Sequence, residues 1–152
     1  MPYYIKKKKK SDKPKKRQTS QATLVKKLDK VFSQYIRLRD AFPNDTFRCI
    51  SCGKIKPFEK ADCGHYHSRR HMTTRFDEEN CNAECNYCNR FSADHLIGYR
   101  ENLIKKIGMQ RYQLLEAKAH QIKKWSCFEL EQLIKYYSVL VKKLSEEKGI
   151  RI

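Results

Sequence analysis

Long apolar runs are missing from this chain of 152 residues. Its apolar stretches last only a few positions, too short for a membrane-spanning helix. No apolar segment follows the start, so no signal peptide is expected and the chain reads as cytoplasmic. Internal repeats are missing as well. Acidic residues are few beside basic ones. Seventeen Asp and Glu face 34 Lys and Arg, a formal charge of +17, with a sequence pI near 9.7. That imbalance points to a polyanionic partner. Seven cysteines, an odd number without an export signal, favour reduced thiols and metal binding over a disulfide framework.

The basic charge is spread along the chain. Lys6–Arg17 carries nine Lys and Arg and one Asp, a net +8, which leaves +9 for the rest. Residues 1–18 hold too few core formers to offset their ordering entropy, and are expected to form a disordered basic tail that attracts DNA without reading it. Tyr3 and Tyr4 are too few to argue base stacking. Residues 19–152 are read as one domain, with a core over 47–107 and a helical extension over 109–148.

Apolar residues at steps of three and four predict a helix over Thr19–Phe42, closed by Pro43 and Asn44-Asp45. Phe47–Glu84 is turn-rich and broken by Gly53, Pro57 and Gly64, which fits hairpins and knuckles. A second helix is expected from about Asn89 to Ile107, with Gly108 as its cap, and a third over about Met109–Gln121. The last helix should begin at Ser126, which forms a capping box with Glu129. Its seam of Leu130, Leu133, Tyr137, Leu140 and Leu144 suits a core face or the contact surface of a homodimer.

Cys49-Ile-Ser-Cys52 and Cys85-Asn-Tyr-Cys88 have knuckle spacing, in which two thiolates reach one tetrahedral zinc at about 2.3 Å. The 32 residues between the pairs must hold structure of their own. This middle stretch is poor in apolar residues, and a structural zinc would supply the folding energy it lacks. Cys63, Cys81 and Cys127 are read as packing residues.

Between and after the knuckles lie His65, Asn80 and Asn89, in that order. Hydrolysis of a phosphodiester needs a base for the attacking water and a cation on the phosphate and leaving oxygen. His65 suits the base, because imidazole titrates near working pH. An Asn amide oxygen suits hard Mg²⁺. Asp62 is the nearest carboxylate, but strand alternation puts 62 and 65 on opposite faces unless a bulge intervenes at Gly64. His67 shares the face of His65 and could serve in its place. Arg69, Arg70 and Arg75 offer forks for phosphate oxygens, with His67 beside them. His71, His95 and His120 are read as background surface or core histidines.

The motifs CISCGK, DCGHYHSR, RFDEENCNAECNYCNR and YRENLIKKIG together resemble the NinG (Rap) family of phage recombination endonucleases, within the HNH or ββα-metal nuclease superfamily. They cover roughly residues 47–120, and CNYCN also resembles phage endonuclease VII. The resemblance implies that Asn80 orients His65 through its backbone and that Asn89 is a Mg²⁺ ligand. It also implies cleavage of branched DNA such as D-loops and four-way junctions, inside the bacterial host of a phage or prophage. Many relatives carry Asp directly before the base His, where this chain has Gly64.

The expected fold is therefore α+β: an N-terminal helix, a zinc-knuckled ββα-metal core and a helical C-terminal half. The expected cofactors are structural zinc on Cys49, Cys52, Cys85 and Cys88, and catalytic Mg²⁺ on Asn89 with Asp62. The rival readings are a non-catalytic zinc-knuckle DNA-binding protein and an HNH nuclease with another duty.

Overall fold

A computed structural model of the chain describes residues 19–152. The tail expected over residues 1–18 lies outside the described residues. Over the described residues the chain is α+β, with five α-helices and two small antiparallel sheets.

Helix α1 spans Gln21–Asp40, and its N-cap Ser20 accepts a hydrogen bond from the Thr23 backbone N–H. Its face of Leu24, Leu28, Phe32, Tyr35 and Ile36 is buried. The helix stops two residues before the predicted Phe42. Pro43 pushes Phe42 out of helical backbone, and β1 (Ala41–Phe42) pairs instead with β2 (Thr46–Arg48) across a turn where Asp45 has φ 56°. Strand β3 (Ile55–Pro57) completes this three-stranded sheet.

The second sheet is the hairpin of β4 (Ala61–His65) and β5 (Cys81–Cys85). Its register runs unbroken from Ala61 opposite Cys85 to His65 opposite Cys81. No bulge occurs at Gly64, so alternation holds. Ala61, Cys63, His65, Cys81, Ala83 and Cys85 share one face; Asp62, Gly64, Asn82 and Glu84 share the other.

The helix expected over Asn89–Ile107 is two helices: α2 (Asn86–Phe91) and α3 (His95–Ile107). Ser92, with extended backbone, ends the first through its N–H to the Tyr87 carbonyl, and Asp94 is the N-cap position of the second, so the run breaks over Ser92–Asp94. Helix α2 also begins three residues earlier than expected, because Cys85 is its N-cap and the second knuckle is its first turn. Helix α4 (Met109–Ala119) follows after Gly108, whose φ of 83° only glycine holds without strain.

Helix α5 (Cys127–Lys148) has the expected Ser126–Glu129 capping box and a left-handed Gly149 at its C-terminus. The α5 seam packs on α1 within the same chain. Leu130 and Tyr137 are buried among Leu24, Leu28, Phe32, Tyr35 and Phe76, with Leu133, Leu140 and Leu144 against them. Of the two readings of this seam, the core face is the one the described residues use, since α5 lies along the apolar face of α1. Lys148 ties the pair further, donating to the carbonyls of Leu38, Arg39 and Ala41 at the end of α1. Cys63 and Cys81 sit in this core as expected, and Cys127 packs at its edge.

Candidate functional site

The sulfurs of Cys49, Cys52, Cys85 and Cys88 lie within 4.8 Å of one another. The first pair sits on a tight turn after β2, closed by Gly53 N–H to the Cys49 carbonyl at 2.9 Å and opened by the positive φ of Gly53. The second pair brackets the start of α2, and the Cys85 N–H points at Cys49 Sγ at 3.2 Å. Burial pushes the Cys49 thiol up to about 11, and burial with the neighbouring sulfurs raises Cys88 as well. At Cys52 burial acts upward too, but the Lys54 N–H and the facing thiols outweigh it and lower the value. Four sulfurs converging on one point is the donor set that a thiophilic cation takes, and the cluster could hold a metal such as zinc.

Beside this cluster a cleft is lined by Cys63, His65, Ser68, Arg69, Arg70, Asn89 and His95. His65 ends β4, with Nε2 3.0 Å from the Arg75 carbonyl and Nδ1 3.3 Å from the Cys63 carbonyl. Burial, then the positive charge of Arg69, lowers its pKa, so the ring is neutral near pH 7.

Asn80 is fully buried and clamps the loop that follows His65. Its Oδ1 accepts from the His67 N–H at 2.8 Å, and its Nδ2 donates to the carbonyls of His67 and Thr74. It lies away from the cleft and acts on the backbone. Asn89 on α2 donates to Asp62 Oδ2 at 3.0 Å. Asp62 also accepts two bonds of 2.7 Å from Arg90. Burial acts to raise the Asp62 pKa, but Arg90 and Asn89 overcome this and hold it below the usual carboxylate range.

Two expected phosphate contacts are placed elsewhere. Arg75 forms a two-pronged pair with Asp29 of α1, Nε to Oδ1 at 2.9 Å and Nη2 to Oδ2 at 2.5 Å, so its fork is taken. His67 does not share the face of His65. Strand β4 has ended, and the His67 ring turns toward α4, with Nε2 3.0 Å from Glu116 Oε1. Arg69 and Arg70 are exposed on the cleft, as a phosphate contact requires.

Two residues escaped the sequence reading. Glu84 is wholly buried, yet its Oε1 accepts from Ser51 at 2.5 Å and meets His95 Nδ1 at 2.6 Å. Its Oε2 has no hydrogen-bond partner among the described residues. That oxygen fills the space beside Gly64, where a Cβ would come within 2.3 Å of it. His95, read from sequence as background, lines the cleft from the first turn of α3. One signal was available: Glu84 stands two residues from Asn82 in a strand whose partner carries Asp62, which puts a second carboxylate on that face.

The class of protein so defined is an α+β chain in which a four-cysteine cluster able to hold zinc adjoins a cleft with two histidines, an asparagine and two exposed arginines. Comparison with known proteins narrows this. The family model described as bacteriophage lambda NinG protein matches residues 4–147, and the chain belongs to the NinG family. The protein ninG of Escherichia phage 933W is 29% identical over 126 residues, covering 82% of this chain and 60% of that protein. The protein ninG of Salmonella phage P22 is 29% identical over 126 residues, with 82% and 59% covered. The protein ninG of Escherichia phage lambda is 28% identical over the same length, again with 82% and 59% covered. The chain thus spans about three-fifths of the length of these curated relatives. No solved structure matches it. Among the described residues, no helix is long and apolar enough to cross a membrane.

Proposed function

We propose that this chain is a metal-dependent DNA endonuclease of the HNH, or ββα-metal, type, acting on branched recombination intermediates such as D-loops and four-way junctions. The observation that carries the reading is the convergence of His65, Asn89, Arg69 and Arg70 on one cleft, beside a four-cysteine cluster. The hairpin β4–β5 followed at once by α2 gives the strand, strand, helix order of such a core. A charge of +17 suits the polyanionic substrate.

In this reading His65 takes a proton from the attacking water. Its neutral ring is ready to do so, and the Arg75 carbonyl fixes Nε2 as the protonated nitrogen and supports the imidazolium that forms. Nδ1, at the longer distance of 3.3 Å from the Cys63 carbonyl, is the nitrogen that accepts. Arg69 and Arg70 bind the phosphate oxygens. Asn80 holds the loop that carries Arg69, Arg70 and Arg75. Asp62, expected as a co-ligand, lies on the hairpin face opposite His65, because no bulge interrupts the strand, and is paired with Arg90 and Asn89. Asn89 lines the cleft, and its amide offers oxygen, the donor that a hard divalent cation takes. Mg²⁺ bound there would neutralise charge on the scissile phosphate and the leaving 3′ oxygen. Zinc on the four cysteines is structural.

The test is nicking of a four-way junction against linear duplex by zinc-loaded protein with Mg²⁺. Cleavage of the junction, lost in His65→Ala with zinc content and DNA binding retained, is the expected result. Binding without any cleavage would make the chain a DNA-binding protein. Equal cutting of both substrates would keep the nuclease and remove the branched specificity.

A further inference from the structure

A wholly buried carboxylate with one unpartnered oxygen is costly, and a fold keeps one where something depends on it. Glu84 is such a group. Its Oε1 holds His95 Nδ1 at 2.6 Å and is itself fixed by the Ser51 hydroxyl at 2.5 Å. With Nδ1 committed, Nε2 is the ring nitrogen left for a ligand, and His95 lies on the same cleft as Asn89. A carboxylate that orients an imidazole by one nitrogen while the other meets a cation is how proteins set a histidine ligand.

We propose that His95 is a further ligand of the divalent cation in the cleft, positioned by Glu84 and Ser51. This deepens the nuclease reading and rests on its claim that the cleft takes a cation. The donors that line the cleft then come from two successive helices, Asn89 on α2 and His95 on α3. Asp62 and Glu84 face each other across the hairpin on one side of the sheet, which links the Asn89–Asp62 contact to the Glu84–His95 contact. Arg90 pairs with Asp62 at 2.7 Å.

The same geometry ties the cation to the cysteine cluster. Ser51 lies between Cys49 and Cys52, so the knuckle turn itself aims Glu84. Helix α3 rests on that turn: Asn102 donates to the Ile50 carbonyl at 2.8 Å, and a Cβ at Gly98 would come within 2.2 Å of the Ser51 carbonyl oxygen. Tyr99 anchors the helix to the hairpin, donating to the carbonyls of Gly64 and Asn80. A cation with an imidazole nitrogen in its shell should be a first-row transition ion, so Mn²⁺ should bind more tightly than Mg²⁺.

The experiment is Mn²⁺ binding to zinc-loaded full-length protein, read by titration and by pulsed electron paramagnetic resonance for coupling to a ¹⁴N nucleus. Wild type should bind one Mn²⁺ with nitrogen coupling. His95→Ala should abolish the coupling, and Glu84→Gln should weaken binding about 10–100-fold at unchanged zinc content. Ser51→Ala, a milder change if Glu84→Gln fails to fold, should weaken binding by a smaller factor. The exposed His120→Ala should leave binding alone. Nitrogen coupling that survives in His95→Ala, or Mn²⁺ affinity unchanged by both His95→Ala and Ser51→Ala, overturns the proposal. Nitrogen-coupled Mn²⁺ in a protein that cuts no DNA would keep His95 as a ligand and remove the nuclease; cleavage with Mn²⁺ bound but uncoupled would do the reverse.

Discussion

The helical pair α1–α5 and the knuckled hairpin β4–β5 are held by different forces. Between the helices lie Leu24, Leu28, Phe32, Leu130 and Tyr137, with Phe32 edge-on to Tyr137 at 4.9 Å between ring centroids. That is ordinary apolar burial, worth about 1.5–3 kcal/mol for each large side chain. The hairpin buries Asn80, Asn82, Glu84 and the cysteines Cys63, Cys81 and Cys85, with little apolar surface beyond Phe47, Ala61 and Ala83. Its order comes from hydrogen bonds and from the metal its sulfurs could hold. The comparison separates scaffold from site: chemistry-bearing groups collect where packing alone cannot fix the backbone.

The comparison breaks most sharply on metal removal. Chelation of zinc, or Cys85→Ser, should unfold the hairpin side, since structural zinc supplies apparent energy on the order of 10 kcal/mol. Elemental analysis should give about one zinc per chain, and hydrogen exchange after chelation should lose protection over 46–65 and 81–91 before α1 and α5. Metal-free protein with unchanged protection would show that the hairpin holds itself.

The converse change is Phe32→Ala, at a residue 1% exposed. It should cost about 3–5 kcal/mol by denaturant titration, with zinc content intact in the folded fraction. Equal loss of zinc would show that the two regions fold as one unit.

A smaller change falls on the seam between the regions. Gly98→Ala drives a Cβ against the Ser51 carbonyl oxygen, which is backbone and has little room to move. A cost of about 1–3 kcal/mol is expected, together with weaker Mn²⁺ binding as α3 lifts His95 from the knuckle. Lost stability with full Mn²⁺ affinity would separate the helix position from the cleft.

How much of this was legible follows the same division. The α1 and α5 faces, the Ser126 box and the paired knuckles were readable because each is a local pattern: period, cap or spacing. The break at Ser92–Asp94 was not, because Leu96, Tyr99 and Leu103 keep helical period on one side and hide the turn beside it. The fate of Arg75 was also hidden. Its partner Asp29 lies 46 residues away on another helix, and nothing local distinguishes it from Arg69 and Arg70. Glu84 and His95 were missed for a related reason. Their meaning depends on Ser51, 33 residues before Glu84, and on a glycine at 64 that reads locally as a missing ligand.

The mildest change tests the electrostatics of the cleft. Burial and Arg69 lower the His65 pKa, while Asp29 of α1 and the carbonyls of Arg75 and Cys63 act the other way. A general base works only when unprotonated, so activity is lost as pH falls through the His65 pKa. A lowered value means that kcat/KM holds its plateau to a more acidic pH than an ordinary histidine would allow. Arg69→Ala removes the repelling charge, raises the pKa, and should move the acid limb to higher pH, toward the ordinary histidine range. Loss of a phosphate contact alone would lower kcat/KM by the same factor at every pH, so the limb position isolates the effect on His65. An acid limb that stays in place while the plateau drops would leave Arg69 a phosphate contact only and assign the base to a group other than His65.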